Sequence, residues 1–225
     1  MTRIAMEGKI LNENQRIAAE LRERYEANGL LTLNLISSPG AGKTSLLEKT
    51  LQRFDRARRV ALLTGDIQTD LDAGRLARFG FPVRQITTSG ACHLDAKMVE
   101  RALDGWDLGT LELLLIENVG NLVCPSSFDL GEESKIVVFS VAEGEEKPLK
   151  YPGTFARAEL VIINKIDLLG HVPFDIEKAR ENTERSNPGV RVIELSCTTG
   201  DGIAEWESWI EEKLGAKRDL TAVVH

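Results

Sequence analysis

The residues best suited to chemistry begin with Ser37-Ser38-Pro39-Gly40-Ala41-Gly42-Lys43-Thr44-Ser45, a glycine-rich turn between a strand-like apolar run and the helical pattern Leu46, Leu47, Leu51. Such a turn lets backbone N–H groups close around phosphate oxygens, and the helix N-terminus adds its dipole. Lys43 would reach the β- and γ-phosphates, and the Thr44 hydroxyl would ligate Mg²⁺. The usual pattern opens with glycine; here that place is Ser37, at a strand end where a small serine is tolerated. The plainer alternative is a turn that only connects strand and helix. Gly-Lys-Thr at such a junction favours phosphate, so Pro39, Gly40, Ala41, Gly42, Lys43, Thr44 and Ser45 are the expected phosphate-binding residues.

A base-recognising set follows. The run Leu160–Ile163 ends in Asn164-Lys165-Ile166-Asp167, the Asn-Lys-x-Asp pattern of GTPases. A carboxylate at Asp167 accepts two hydrogen bonds from guanine N1–H and its 2-amino group, which adenine does not offer. The Asn164 amide can tie this loop to the base edge and the phosphate loop. Ser196 and Cys197, within Glu194-Leu195-Ser196-Cys197-Thr198, match the element that closes over guanine with backbone N–H groups; the Cys197 thiol itself is read as structural. Glu117, after another apolar run, is expected to approach Mg²⁺ directly or through water, and Gly120 to offer its N–H to the γ-phosphate. Most GTPases use aspartate where Glu117 stands. Asp66 is the other acid at a strand end, a candidate to orient the attacking water or the Mg²⁺ shell. A turn or cap is its plainer role, for which Asp70 is better placed.

A third set is made of soft ligands. Cys92-His93 precedes a helical pattern, and Cys124-Pro125 falls shortly after Glu117. Thiolate, imidazole and thiolate suit Ni²⁺ or Zn²⁺, and thiols near a helix N-terminus ionise more easily. Three ligands leave one tetrahedral position for water, Asp95 or a second subunit. Neighbours on a regular helix diverge, so Cys92 and His93 must bind from a loop or share a metal between subunits. The competing reading is that free cysteines are small buried hydrophobes.

The elements that must position these residues are legible as alternation. Short apolar runs (Leu31–Ser37, Val60–Thr64, Val83–Ile86, Leu111–Ile116, Ile136–Val141, Leu160–Asn164, Val190–Leu195) alternate with helical patterns over Asn12–Ala27, Lys43–Phe54, Asp70–Phe79, Leu94–Leu103, Asp175–Arg185 and Ile203–Leu214. The pattern predicts a doubly wound α/β domain with a mostly parallel sheet of about seven strands and one extra N-terminal helix. In such folds ligands bind at the carboxyl ends of the strands. The 225 residues suit one domain: a helical extension over 1–29, a core over 30–215 and a tail over 216–225.

Composition removes other classes. With 42% hydrophobic and 28% charged residues the chain is not a disordered one, and its net charge of −7 disfavours general binding to nucleic acid or anionic membranes. No secretory h-region follows Met1, no apolar run is long enough to span a bilayer, and three cysteines make no disulfide framework. The expected compartment is the reducing cytoplasm.

Together these residues resemble the hydrogenase-maturation nickel-insertion GTPases, the HypB family, in the dimerising (SIMIBI) branch of P-loop GTPases. The resemblance runs through Ser38–Ser45, Thr64-Gly65-Asp66-Ile67-Gln68-Thr69-Asp70, Ala91-Cys92-His93-Leu94, Glu117–Pro125, Glu146–Pro152 and Asn164–Asp167. It implies GTP hydrolysis to GDP, a GTP-promoted homodimer, and Ni²⁺ or Zn²⁺ bound by Cys92, His93 and Cys124 at the subunit interface. It further implies delivery of nickel to the large subunit of a [NiFe] hydrogenase, with a small nickel metallochaperone as partner. Lys147 or Lys150 would approach nucleotide across the interface. No Cys-x-x-Cys-Gly-Cys stands near Met1, and His93, His171 and His225 form no tract, so N-terminal nickel storage is not expected. The nearest alternative is the urease nickel-insertion GTPase, which typically carries Cys-Pro-His where this chain has Cys124-Pro125-Ser126. A metal-binding dimer without catalysis and an ATP-dependent member of the fold group are the others; the intact Lys43, Thr44 and Asp167 argue against the former, and Asn164–Asp167 against the latter.

Overall fold

A computed structural model describes residues 3–68 and 70–224; Met1, Thr2, Thr69 and His225 lie outside the described residues. The apolar runs become β1 (Leu31–Ser37), β2 (Val60–Asp66), β3 (Val83–Thr87), β4 (Leu113–Gly120), β5 (Ser134–Ser140), β6 (Leu160–Asn164) and β7 (Arg191–Leu195). They form one seven-stranded sheet in the order β3-β2-β4-β1-β5-β6-β7, and every pairing is parallel. The helices are α1 (Arg3–Ala27), α2 (Lys43–Arg53), α3 (Leu71–Ala77), α4 (Ala96–Ala102), α5 (Cys124–Ser127), α6 (Lys147–Lys150), α7 (Pro152–Phe155), α8 (Ile176–Ser186) and α9 (Ile203–Val224).

Alternate strand residues serve opposite faces, which is why the strands are apolar almost throughout. Leu31, Leu33 and Leu35 join Leu46, Leu47 and Leu51 of α2 and Trp206, Trp209 and Ile210 of α9. On the other face Leu63, Leu114 and Ile116 pack on Ile17, Leu21 and Tyr25 of α1 and Val99 of α4. Val137, Phe139, Val161 and Ile163 meet Phe155 and Ala179. A fully buried leucine or phenylalanine contributes roughly 1.5–3 kcal/mol, so burial rather than helix propensity holds these layers.

Several boundaries differ from expectation. The first helix begins at Arg3 rather than Asn12, because residues 3–12 contain no proline and one glycine costs a helix only about 1 kcal/mol. The expected tail over 216–225 continues α9 through Val224; nothing after Gly215 stops a helix, and Lys217 and Arg218 pair with Glu133 and Glu112. The fourth helix starts at Ala96, not Leu94, since Asp95 caps it by accepting a hydrogen bond from Met98 N–H. Asp70 stands at the start of α3 but makes no capping bond. Among the described residues no helix is long and apolar enough to cross a membrane.

Candidate functional site

The carboxyl ends of β1, β2 and β4 surround a cavity of about 490 Å³ lined by Pro39, Gly40, Gly42, Lys43, Thr44, Ser45, Asp66, Gly120 and Lys165 among others. Gly42 adopts φ 100°, and a Cβ there would lie 2.3 Å from Asn164 Nδ2, so only glycine fits between the two loops. Ala41 does not line the cavity. Its methyl belongs to the core, and its carbonyl accepts from Asn164 Nδ2 at 2.8 Å. Lys43 is buried and folds back so that Nζ donates to Ser37 Oγ at 2.7 Å. The serine at the unusual first position therefore holds the lysine. Burial lowers the Lys43 pKa, opposed chiefly by the nearby Glu117 carboxyl. Asp66 reaches the cavity wall, where Oδ1 accepts from Gln68 N–H at 2.9 Å.

Glu117 and Gly120 lie within β4, three residues apart, where a regular strand would turn them to opposite faces. Leu35 pairs with Glu117 and Ser37 with Gly120, so β4 carries one extra residue between them. That bulge brings both to the cavity. Thr44 Oγ1 donates to Glu117 Oε1 at 2.6 Å, while Glu117 Oε2 is buried without a partner. An unpaired carboxylate oxygen beside a phosphate-loop threonine is what a hard divalent cation requires, so these donors fit Mg²⁺. Burial pushes the Glu117 carboxyl up to about 7, against the opposing pull of Lys43 and the Thr44 hydrogen bond.

A raised acid contributes stability below its ordinary range and loses that contribution as pH climbs through about 7 in the metal-free protein. Mg²⁺ needs the carboxylate. Magnesium-dependent nucleotide affinity is therefore expected to rise between about pH 6 and about pH 8, with proton uptake by buffer seen in calorimetry. Glu117→Gln should flatten that rise; an unchanged profile would place the titrating group elsewhere.

The residues expected to recognise a base assemble through one another, and of them Lys165 lines the cavity whereas Asn164, Asp167, Ser196 and Cys197 do not. Lys165, at φ 64°, donates from Nζ to Gly40 O at 2.6 Å, and its N–H goes to Asn164 Oδ1 at 2.7 Å. Asp167 Oδ1 accepts from Ser196 Oγ at 2.5 Å, and that hydroxyl also accepts from Thr198 and Thr199 N–H. Ser196 departs from expectation in one respect. Its backbone N–H bonds Asp201 O at 2.9 Å, so it holds Asp167 rather than offering that N–H to a base. Cys197 packs against the core and burial pushes its thiol up to about 11.

The soft ligands converge. Among the described residues Cys92, His93 and Cys124 place their ligand atoms within 4.8 Å of one another, all half-buried. The two sulfurs are 3.0 Å apart, and His93 Nδ1 lies 3.8 Å from Cys92 Sγ. Cys92 and His93 occupy a bend before α4, so the geometric objection to adjacent helical ligands does not arise. Asp95, one of the three expected fourth ligands, is engaged as the α4 cap. Cys124 opens α5, yet its thiol is pushed up rather than down, because it shares a hydrogen bond with Cys92 and is partly desolvated. Burial lowers the His93 pKa, leaving the neutral imidazole a ligand needs. Metal binding must therefore expel the Cys124 thiol proton.

Sequence reasoning missed several supporting residues. Asp72 and Arg75 of α3 line the cavity, a position only the packing of α3 on α2 reveals. Asn121 Nδ2 donates to Cys92 O at 3.2 Å and Oδ1 accepts from Val123 N–H at 2.9 Å, joining both metal loops. Asn118 Oδ1 accepts from Leu94 N–H at 3.1 Å, tying the residue after His93 to the bulge beside Glu117. Lys147 pairs with Glu143, which also accepts from the phosphate-loop Ser38 hydroxyl, whereas Lys150 pairs with Glu146 in solvent.

Residues 31–194 match the family described as CobW/HypB/UreG, nucleotide-binding domain. The chain is 51% identical over 217 residues to hydrogenase maturation factor HypB of Azotobacter chroococcum mcd 1, covering 95% of this chain and 70% of that protein. It is 43% identical over 209 residues to the hydrogenase/urease maturation factor HypB of Helicobacter pylori strain J99, covering 91% of this chain and 86% of that protein. The crystal structure of HypB from Helicobacter pylori in complex with nickel superposes with a TM-score of 0.85 at 40% identity, covering 92% and 96% of the two chains.

Proposed function

Because the chain belongs to the CobW/HypB/UreG family, and within it to the HypB hydrogenase maturation factors, we propose that it is a GTP-hydrolysing metallochaperone delivering nickel to the large subunit of a [NiFe] hydrogenase. One observation carries this reading: β4 supplies Glu117 and Gly120 to the nucleotide cavity, and α5, four residues further on, supplies Cys124 to a Cys/His cluster. Lys43 stabilises charge on the transferred phosphoryl group. Thr44 and Glu117 hold Mg²⁺, which neutralises phosphate charge when bound. Asp66, with Asp72 also on the cavity wall, orients the attacking water. Asn164, Lys165 and Asp167 read guanine. Cys92, His93 and Cys124 carry Ni²⁺, with Zn²⁺ the competing occupant.

The GTP-bound protein acts as a homodimer through the carboxyl-end face, in the cytoplasm, with a small nickel metallochaperone as partner. Ile67, Leu71, Val123 and Leu149, exposed apolar residues on loops and helices that follow β2, β4 and β5, support such a face. The name of the Helicobacter pylori relative favours a second reading, in which the same machinery serves urease.

Nucleotide choice tests the reading. Asp167→Asn should weaken GTP at least about tenfold, since a mispaired buried polar group costs roughly 1–3 kcal/mol. Xanthine nucleotide, with an oxygen in place of the 2-amino group, should become the preferred ligand. Calorimetry with GTP, ATP and xanthosine triphosphate measures it; an ATP preference in the unmodified protein would contradict the proposal.

A further inference from the structure

Asn14 sits on the buried face of α1, outside the nucleotide site and outside the Cys/His cluster, and is 5% exposed. Both ends of its side-chain amide are committed to distant segments. Oδ1 accepts from Ala96 N–H at 2.8 Å, and Nδ2 donates to Asp129 O at 2.8 Å. Ala96 is the first residue of α4, three after His93. Its N–H has no partner within the helix, and Asp95 supplies its cap to Met98, so Asn14 completes the α4 N-terminus from a neighbouring helix. Asp129 follows Phe128, whose ring stacks on the His93 imidazole at 3.8 Å between centroids and 28° between planes.

His93 therefore has two neighbouring walls, the Phe128 ring it stacks on and the α4 start three residues after it, and one amide bonds the segment behind each. We propose that Asn14 is a positioning residue for His93, through which α1 sets the geometry of the Cys92, His93 and Cys124 centre. The inference rests on the reading of that cluster as a nickel site. Elsewhere on α1, Arg22 reaches the Asp129 carboxylate and Glu13 pairs with Lys97 of α4, each engaging one wall. A shift of α1 by a fraction of an ångström would break one bond or the other. The imidazole would then leave its stack while Cys92 stays tied to Asn121.

The experiment compares Asn14→Leu, which removes both bonds, with Asn14→Asp, which keeps the acceptor for Ala96 and loses the donor to Asp129. Leu21→Val, two turns along the same buried face, is the control for simple loss of helix packing. The metal-free proteins are examined by NMR for the upfield ring-current shift that Phe128 imposes on the His93 ring protons. Ni²⁺ affinity is measured by chelator competition. Asn14→Leu is expected to lose most of that shift and to weaken Ni²⁺ roughly tenfold or more, the scale on which groups behind a ligand act. Asn14→Asp should fall between it and the unmodified protein, and Leu21→Val should change neither readout at comparable loss of stability. If Asn14→Leu does not fold, Asn14→Asp against Leu21→Val carries the same comparison. Unchanged shift and affinity in the Asn14 variants, or equal changes in Leu21→Val, would overturn the assignment. An unmodified protein that binds no Ni²⁺ would instead overturn the metal reading, while the ring-current comparison still decides whether Asn14 places His93.

Discussion

Alanine in place of Lys43 is expected to stop GTP turnover while the protein stays folded. The Nζ atom sits at the head of the phosphate loop, bonded to Ser37 Oγ and close enough to Glu117 to oppose its neutralisation. Removing a donor aimed at developing charge costs roughly 10²–10³ in rate, and this one carries a full charge. The fold should survive because the residue left behind adapts. Without its cation, Glu117 moves further toward the neutral form that burial already favours, so no isolated charge is trapped. Phosphate release and circular dichroism measured on one preparation check both halves. Turnover at the unmodified rate would mean that hydrolysis does not occur in this cavity.

Cys124→Ala should have the second large effect, and a selective one. It removes one of three ligands converging within 4.8 Å and leaves Cys92 and His93 insufficient to compete with water and buffer. A loss of Ni²⁺ affinity of about a hundredfold or more is expected. Nucleotide affinity should be spared, because Cys124 does not line the cavity. Global stability should change little, since the side chain is half-buried. Metal titration of the unmodified protein should also release protons and tighten as pH rises, because the Cys124 thiol is pushed up and the metal binds its thiolate. Nickel affinity unchanged by the substitution would remove the cluster from consideration.

The phosphate loop and the base-recognising run were legible because each is a local pattern at a strand end, whereas spacing left Cys92-His93 and the distant Cys124 open between metal binding and simple burial, and only the family resemblance favoured the metal. Residue type and spacing carry such a local pattern without tertiary information. Strand positions were legible for the same reason: β1 and β6 follow runs buried on both faces. What was not legible depends on packing between distant segments. The bulge in β4 has no marker in Glu117-Asn118-Val119-Gly120, yet it decides that Glu117 and Gly120 face one cavity. Ser196 reads as a contributor of backbone N–H to a base, whereas a bond from its N–H to Asp201 makes it the holder of Asp167. Asp72 and Arg75 look like surface charges of a short helix until α3 is packed beside the phosphate loop. Asn14, Asn118 and Asn121 are ordinary polar residues in sequence, and only contacts between segments far apart in the chain identify them as the braces of the metal loops.

The nucleotide cavity and the metal cluster are expected to act as one device through β4. Ordering Gly120 on a γ-phosphate would then move the segment that carries Cys124, and the Asn118 bond to Leu94 N–H would pass the same movement to the residue beside His93. Linkage requires the effect to be reciprocal, with a coupling of about 1–3 kcal/mol, or roughly 5- to 150-fold in affinity. The deciding measurement is Ni²⁺ affinity in the GDP-bound and non-hydrolysable-GTP-bound states at one protein concentration, with molecular mass in solution followed alongside. Affinities that differ within that range, a mass that doubles with the GTP analogue, and loss of the difference in Cys124→Ala are the predicted result. The same nickel affinity in both nucleotide states would contradict the account and reduce the cluster to a site that shares a strand with the cavity without answering to it.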